Sequence, residues 1–97
     1  MLYNLIITKT AEGHIVDACN YYETQQSGLS DRFLTELFDA CKKISSNPQH
    51  YSFISSNPKD KFRDIKLYKF PFVVIYEISG NDVIVIAVFN THRSPMY

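Results

Sequence analysis

Two apolar rhythms divide the chain. "LYNLIIT" (2–8) is dense in apolar and β-branched residues and reads as a strand. From Ala11 the apolar positions spread out to Ile15, Cys19 and Tyr22, with Ala18 alongside, which paints one face of a helix. Thr10 stands where an N-cap would, with a hydroxyl able to take an orphan backbone N–H. Ser27-Gly28 stops that helix near Gln26. A second helix starts at Leu29 or Ser30. It carries the clearest 3.6-residue stripe in the chain, Phe33, Leu34, Leu37, Phe38, Cys41 and Ile44. Acidic Asp31 and Glu36 lie early and Lys42 and Lys43 late, in the order the helix dipole favours, and Asn47-Pro48 ends it. The short link predicts an antiparallel pair of helices.

The second half changes rhythm. Residues 48–61 are rich in turn formers, with a short β segment at Tyr51–Ile54 as a weaker element. "FRDIKL" (62–67) alternates, and "FPFVVIYEI" (70–78) and "VIVIAVF" (83–89) are strongly β. "SGND" (79–82) is the hairpin turn between the last two, where Gly80 and Asn81 tolerate positive φ. Strands apolar on both sides are covered on both faces. Helices cover one face; the other is apolar enough to call for a partner. The expected fold is α+β, in the order β-α-α-β-β-β. An N-terminal strand leads to an antiparallel helical hairpin packed on a twisted, mainly antiparallel sheet. Ninety-seven residues make one domain, 1–97.

Composition narrows the function classes. Ten basic and ten acidic residues leave a net charge of zero, so a global pull toward nucleic acid or an acidic membrane is absent. Any case for RNA must rest on a local cluster. The two cysteines, Cys19 and Cys41, sit on helical apolar stripes and read as small buried hydrophobes, which fits a reducing, cytoplasmic setting. The N-terminus lacks a signal-peptide pattern, and no run approaches the roughly 20 apolar residues of a membrane span. No metal-ligand spacing, phosphate loop or nucleophile elbow occurs, so neither a metal nor a cofactor is expected.

An ordered set of features now matters: Ala11 after the first strand, "YYE" (21–23), the Phe33–Ile44 stripe ending in "NP" (47–48), and then "FRDIKLYKFPFVVIYEISGNDVIVIAVFNTHRSP". In that order they resemble the RelE/ParE superfamily of bacterial toxins from type II toxin–antitoxin systems, nearly end to end. The C-terminal stretch is similar to the family succession of an Arg, an apolar strand, Phe-Pro-Phe, a strand ending in Tyr, a turn, a strand and a closing Arg-x-Pro. The resemblance implies a growth-arresting toxin held inactive by a cognate antitoxin encoded beside it. Two activities are open. RelE-like members cut messenger RNA in the ribosomal A site; ParE-like members are not nucleases and bind and poison DNA gyrase. A plain interaction module of the same fold is a third reading.

RNA cleavage without a metal needs a base for the 2′-hydroxyl, cations on the phosphate and an acid for the leaving oxygen. If the chain is RelE-like, His92, Arg93 and Tyr97 are the candidates: His92 for proton transfer, Arg93 for phosphate charge, and Tyr97 for stacking or proton donation. Arg63, Lys66 and Arg93 are the candidate target-binding cations. Arg63 and Lys66 differ by three positions, so an ideal strand puts them on opposite faces. The chain departs from the nuclease pattern in two places. Val73 and Val74 stand where many cleaving members carry an arginine, and Asn90 stands where close relatives often carry a histidine. ParE-like gyrase binding is therefore the favoured reading.

Overall fold

The computed structural model describes residues 2–54 and 61–92. Its elements are β1 (Asn4–Ile7), α1 (Lys9–Gln25), α2 (Leu29–Ser46), a 3-10 turn at Pro48–His50, β2 (Phe62–Lys66), β3 (Phe72–Ser79) and β4 (Asp82–Asn90). The order β-α-α-β-β-β and the α+β class are as expected from the sequence. The sheet runs β1-β4-β3-β2. β2, β3 and β4 form an antiparallel meander, while β1 lies parallel to β4, so the sheet is mixed.

The first helix begins two residues earlier than Thr10 suggested. Thr8 is the N-cap: its hydroxyl accepts the Ala11 N–H at 3.1 Å and donates to the Ile86 carbonyl at 3.2 Å. Thr8 wins because it stands at the end of β1, where one hydroxyl serves helix and sheet together; Thr10 is exposed within the first turn. Ile86 is the extra residue of a β-bulge, since Ile75 pairs with Ala87 but Tyr76 pairs with Val85. Beyond Ile7, β4 has outrun its neighbour strand, and α1 completes its edge. The Thr8 N–H bonds the Val85 carbonyl at 3.1 Å, and the Val88 N–H bonds His14 Nδ1 at 3.2 Å. His14 is thus a half-buried acceptor at the helix–sheet seam.

Gly28, with φ of 85°, turns the chain between the helices. Glu23 closes this turn, accepting from the Gly28 N–H at 3.2 Å and from the Ser30 hydroxyl at 2.6 Å; these bonds hold its carboxyl below the usual range. In the β3–β4 hairpin the positive φ falls on Gly80 alone; Asn81 is not in the left-handed region.

The core lies between the helices and one face of the sheet. Phe33, Leu37, Ala40, Cys41 and Ile44 from α2 meet Ala11, Ala18 and Tyr22 from α1 and the inner row of the strands. Phe38, expected in that stripe, is half exposed. One residue on from Leu37 it has rotated about 100° around the helix, off the packed face, and Ala40 takes the inner position. The "FPF" segment explains the hairpin's far end. Tyr22, Phe33, Phe70 and Phe72 form an aromatic cluster with ring centroids 4.9–6.1 Å apart.

Strand register sorts every residue onto one of two faces. Ile65, Val74 and Val88 share a row facing the helices, as do Arg63, Tyr76, Val85 and Ile7. The far face carries Lys66, Val73 and Phe89 in one row, Asp64, Ile75 and Ala87 in the next, and Phe62, Glu77, Ile84 and Ile6 in the third. Val73 and Ile75 are buried without belonging to the helix-side core.

Candidate functional site

Arg63 and Lys66 take opposite faces, as their spacing required. Arg63 is opposite Tyr76, on the helix side, and its guanidinium is committed there. Its Nη1 donates to the Gln49 carbonyl at 3.2 Å and to the Tyr51 carbonyl at 2.6 Å, and its Cζ lies 3.9 Å from the centre of the Phe53 ring. Tyr76 adds a third bond to the same segment, its buried hydroxyl donating to the Pro48 carbonyl at 2.7 Å. Burial pushes the Tyr76 phenol up to about 12, against a smaller lowering by the Arg63 charge. Gln49 Nε2 donates to the Tyr3 hydroxyl at 2.8 Å. The irregular stretch after α2 is therefore strapped to the sheet by one arginine and two tyrosines. Within it, the weak β segment of the sequence reading shrinks to a single bridge, Phe53 to Arg63.

Lys66 is exposed at the end of β2, beside Asp64 on the far face. Burial raises the Asp64 carboxyl above its ordinary value, and the Lys66 charge opposes part of that rise. Among the described strand residues of that face, Lys66 is the one cation, while Asp64, Glu77 and Asp82 supply carboxylates. Glu77 pairs with Lys61 at 3.3 Å. His92 is exposed just past β4, its backbone N–H bonded to Asn90 Oδ1 at 2.8 Å. Arg93 and Tyr97 lie outside the described residues. The structure therefore brings neither Arg63 and Lys66 together nor Arg63 and His92 onto one patch.

One acidic residue escaped the sequence reading. Glu36 was seen only as a helix-dipole charge, yet its carboxylate accepts the backbone N–H groups of Tyr68 and Lys69, the latter at 3.0 and 3.1 Å. It pins the β2–β3 loop onto α2. A groove of about 690 Å³ runs beside this contact, between α2 and the outer edge of β2. Only three-dimensional pairing reveals it, because its walls are some 30 residues apart in the chain. Cys19 and Cys41 are free; burial raises both thiols, Cys41 to about 11, which disfavours the reactive thiolate. Among the described residues no helix is long and apolar enough to cross a membrane.

A helical hairpin on one face of a mixed four-stranded sheet, with a strapped post-helical segment and a far face of apolar strand residues, defines a small α+β domain. The same fold is seen in a solved structure titled "Chromosomal ParDE TA system from P. aeruginosa", with a TM-score of 0.79 at 13% identity, covering 92% of this chain and 96% of that one. In sequence, the profile of the ParE toxin of type II toxin–antitoxin systems, parDE, matches residues 5–95. The chain belongs to the ParE toxin family, within the RelE/ParE superfamily, and is the toxin component of a type II toxin–antitoxin system. Among curated proteins none matches it in sequence.

Proposed function

We propose that this toxin arrests growth by binding DNA gyrase, as ParE-like members do, and not by cutting messenger RNA. The observation that carries this reading is the far face of the sheet. Its central rows are Val73, Phe89, Ile75 and Ala87; among the described residues Lys66 stands beside Asp64, and Lys61 pairs with Glu77. Phosphate cleavage needs converging cations and a proton-transfer pair. Border cations matched by carboxylates, around rows whose Val73 and Ile75 are buried, suit docking on a protein through that border instead. Lys66 and Arg93 are the target contacts in this reading. Arg63, whose guanidinium is spent on carbonyls, contributes by holding the strap. A cognate antitoxin encoded beside the toxin is the partner that silences it, and the cytoplasm is where both act.

Purified chain added to gyrase should block supercoiling of plasmid DNA, and induction of the chain alone should stop replication before translation. His92→Ala should leave arrest nearly unchanged, whereas Lys66→Glu should weaken it. The contrary result is specific. Messenger fragments mapped to codon positions, and lost by about 10²–10⁴-fold in His92→Ala, would assign proton transfer to His92 and make the chain a nuclease.

A further inference from the structure

We infer that two copies of this chain pair edge to edge through β1, running antiparallel across a two-fold axis at Ile6. This edge lies on the opposite side of the sheet from β2 and Lys66, and the pairing does not depend on which target the toxin binds.

β1 is an outermost strand of the described sheet, and only its inner side is used. The Asn4 N–H bonds the Asn81 carbonyl at 2.9 Å, and the Thr8 N–H bonds the Val85 carbonyl at 3.1 Å, so Asn4, Ile6 and Thr8 turn their backbone toward β4. By the alternation of a ladder, Leu5 and Ile7 turn their N–H and C=O groups outward. Among the described residues these groups have no backbone partner. The side chains are open as well: Leu2, Leu5 and Ile6 are 73%, 38% and 42% exposed, while Val83, beside Leu5, is fully buried. Proteins that stay single blunt such an edge with charge, proline or a bulge. Asn4–Ile7 carries none of these, and its short length is its one restraint.

A second β1 fits this edge because one register uses every free group on both sides. With Leu5 of each copy opposite Ile7 of the other, each pair exchanges both of its N–H···O=C bonds. The neighbouring registers do not close. Leu5 against Leu5 brings Ile7 to Tyr3, whose N–H is already given to the Ser45 carbonyl at 2.9 Å. Ile7 against Ile7 brings Leu5 to Lys9, where the chain has entered α1. In the closing register the axis passes between the two Ile6 residues, a pair with Cα atoms about 4.5 Å apart. Their exposed side chains then cover each other on the far face, in the row of Ile84 and Glu77. Charge agrees with this direction. The start of β1 is acidic, where Asp82 accepts from Asn4 Nδ2 at 3.3 Å. Its far end is basic, where Lys9 is exposed and has no carboxylate partner among the described residues. Antiparallel pairing brings Lys9 of each copy to the Asn4–Asp82 end of the other, and a net charge of zero adds no long-range repulsion. The two sheets then continue as one, with both far faces turned the same way.

The test follows the whole purified chain by sedimentation over a range of concentrations, with hydrogen exchange at the two ends of that range. A reversible monomer–dimer equilibrium is expected, and the Leu5 and Ile7 amides should become protected as dimer forms. Ile6→Glu sets two like charges against each other on the axis. It should raise the dissociation constant by about tenfold or more, with a melting temperature near that of the wild-type monomer. Lys9→Glu alone and Asp82→Lys alone should each weaken pairing, and the two together should restore it. That rescue also decides the matter if Ile6→Glu does not fold, because it leaves the apolar edge intact. A chain that stays monomeric throughout overturns the inference. So does a dimer whose Leu5 and Ile7 amides remain unprotected, or one that ignores both Ile6→Glu and the charge exchange, since its contact then lies elsewhere. Amides protected only after the product of the neighbouring reading frame is added would give this edge to the antitoxin and overturn the pairing of copies, while leaving the toxin–antitoxin assignment in place.

Discussion

The helix-covered face of the sheet and its far face are built from the same central strands and nearly the same residue types, but they are completed differently. On the helix side, Val74, Val83, Val85 and Val88 meet Leu37, Phe33 and Ile44, and the one charged side chain in those rows, Arg63, finds two carbonyls and an aromatic ring. On the far side, Val73 and Ile75 are equally apolar, but they sit among Lys66, Asp64 and Glu77, charges at the border of a surface. An identical side-chain type is therefore buried on both faces, against the helices on one and inside a border of charges on the other. Arg63 and Lys66 mark the contrast on a single strand, one absorbed by its own chain and the other left outside.

The largest expected effect lies on the helix side. Leu37 is fully buried, so Leu37→Ala should cost about 2–5 kcal/mol in denaturant unfolding. Set against a typical whole-domain stability of about 5–15 kcal/mol, such a loss should lower the melting temperature visibly. Phe38, its half-exposed neighbour, should lose only about 1 kcal/mol when cut to alanine. Equal costs for the two would mean that the stripe is read wrongly and that Phe38 packs as deeply as Leu37.

The next effect tests the two cations against each other. Arg63→Ala removes a charged donor from the Gln49 and Tyr51 carbonyls and should cost about 1.5–3 kcal/mol. Amides near residues 49–54 should exchange faster in that variant. Lys66→Ala should stay within about 0.5 kcal/mol of wild type while weakening growth arrest. A stable Arg63→Ala protein with lost toxicity would reverse the roles, making Arg63 the target contact and the strap incidental.

Tyr76 offers a pH-resolved version of the strap. Tyr76→Phe leaves the Pro48 carbonyl unpaired in the interior and should cost about 1–3 kcal/mol near neutrality. The folded phenol is raised to about 12 from an ordinary value of 10.0, so the folded state holds this proton more tightly than the unfolded chain. Its contribution is fully present below pH 10 and is lost as pH rises toward 12. The gap between wild type and Tyr76→Phe should therefore narrow between pH 10 and 12. A gap independent of pH would show that the phenol is not protected by burial.

Much of this fold was legible because local patterns and tertiary demands agree. The period-3.6 stripe of α2 and the unbroken apolar runs of β3 and β4 need no knowledge of their partners. What escaped the pattern was set by pairing at a distance. Thr8 displaces Thr10 as the cap because it also meets the β4 bulge. His14 matters because β4 is longer than β1 and leaves a backbone N–H for it to accept. Glu36 reaches a loop 32 residues away, which no helical periodicity encodes. For the candidate site, the opposite facing of Arg63 and Lys66 followed from strand geometry alone. The capture of Arg63 by carbonyls did not, since the strap it binds has no regular pattern to announce it.

The smallest effect concerns Asp64, and it tests whether the far face suffers from the charge it carries. Burial raises this carboxyl above 3.8, with Lys66 pulling the other way. A carboxyl raised in the folded state is bound to its proton more tightly there than in the unfolded chain. Its contribution to stability is full below about pH 3.8 and is lost as pH rises through the folded value. At neutral pH the ionised group is then a mild burden, partly screened by solvent. Asp64→Asn should make the protein slightly more stable at pH 7, and the two should converge below pH 3.8. Urea unfolding at both pH values measures this. A variant less stable at pH 7 would mean that the attraction of Lys66 outweighs burial. The two would then form a stabilising pair, Lys66 would be less available to a target, and the far face would resemble the helix side more than the contrast above allows.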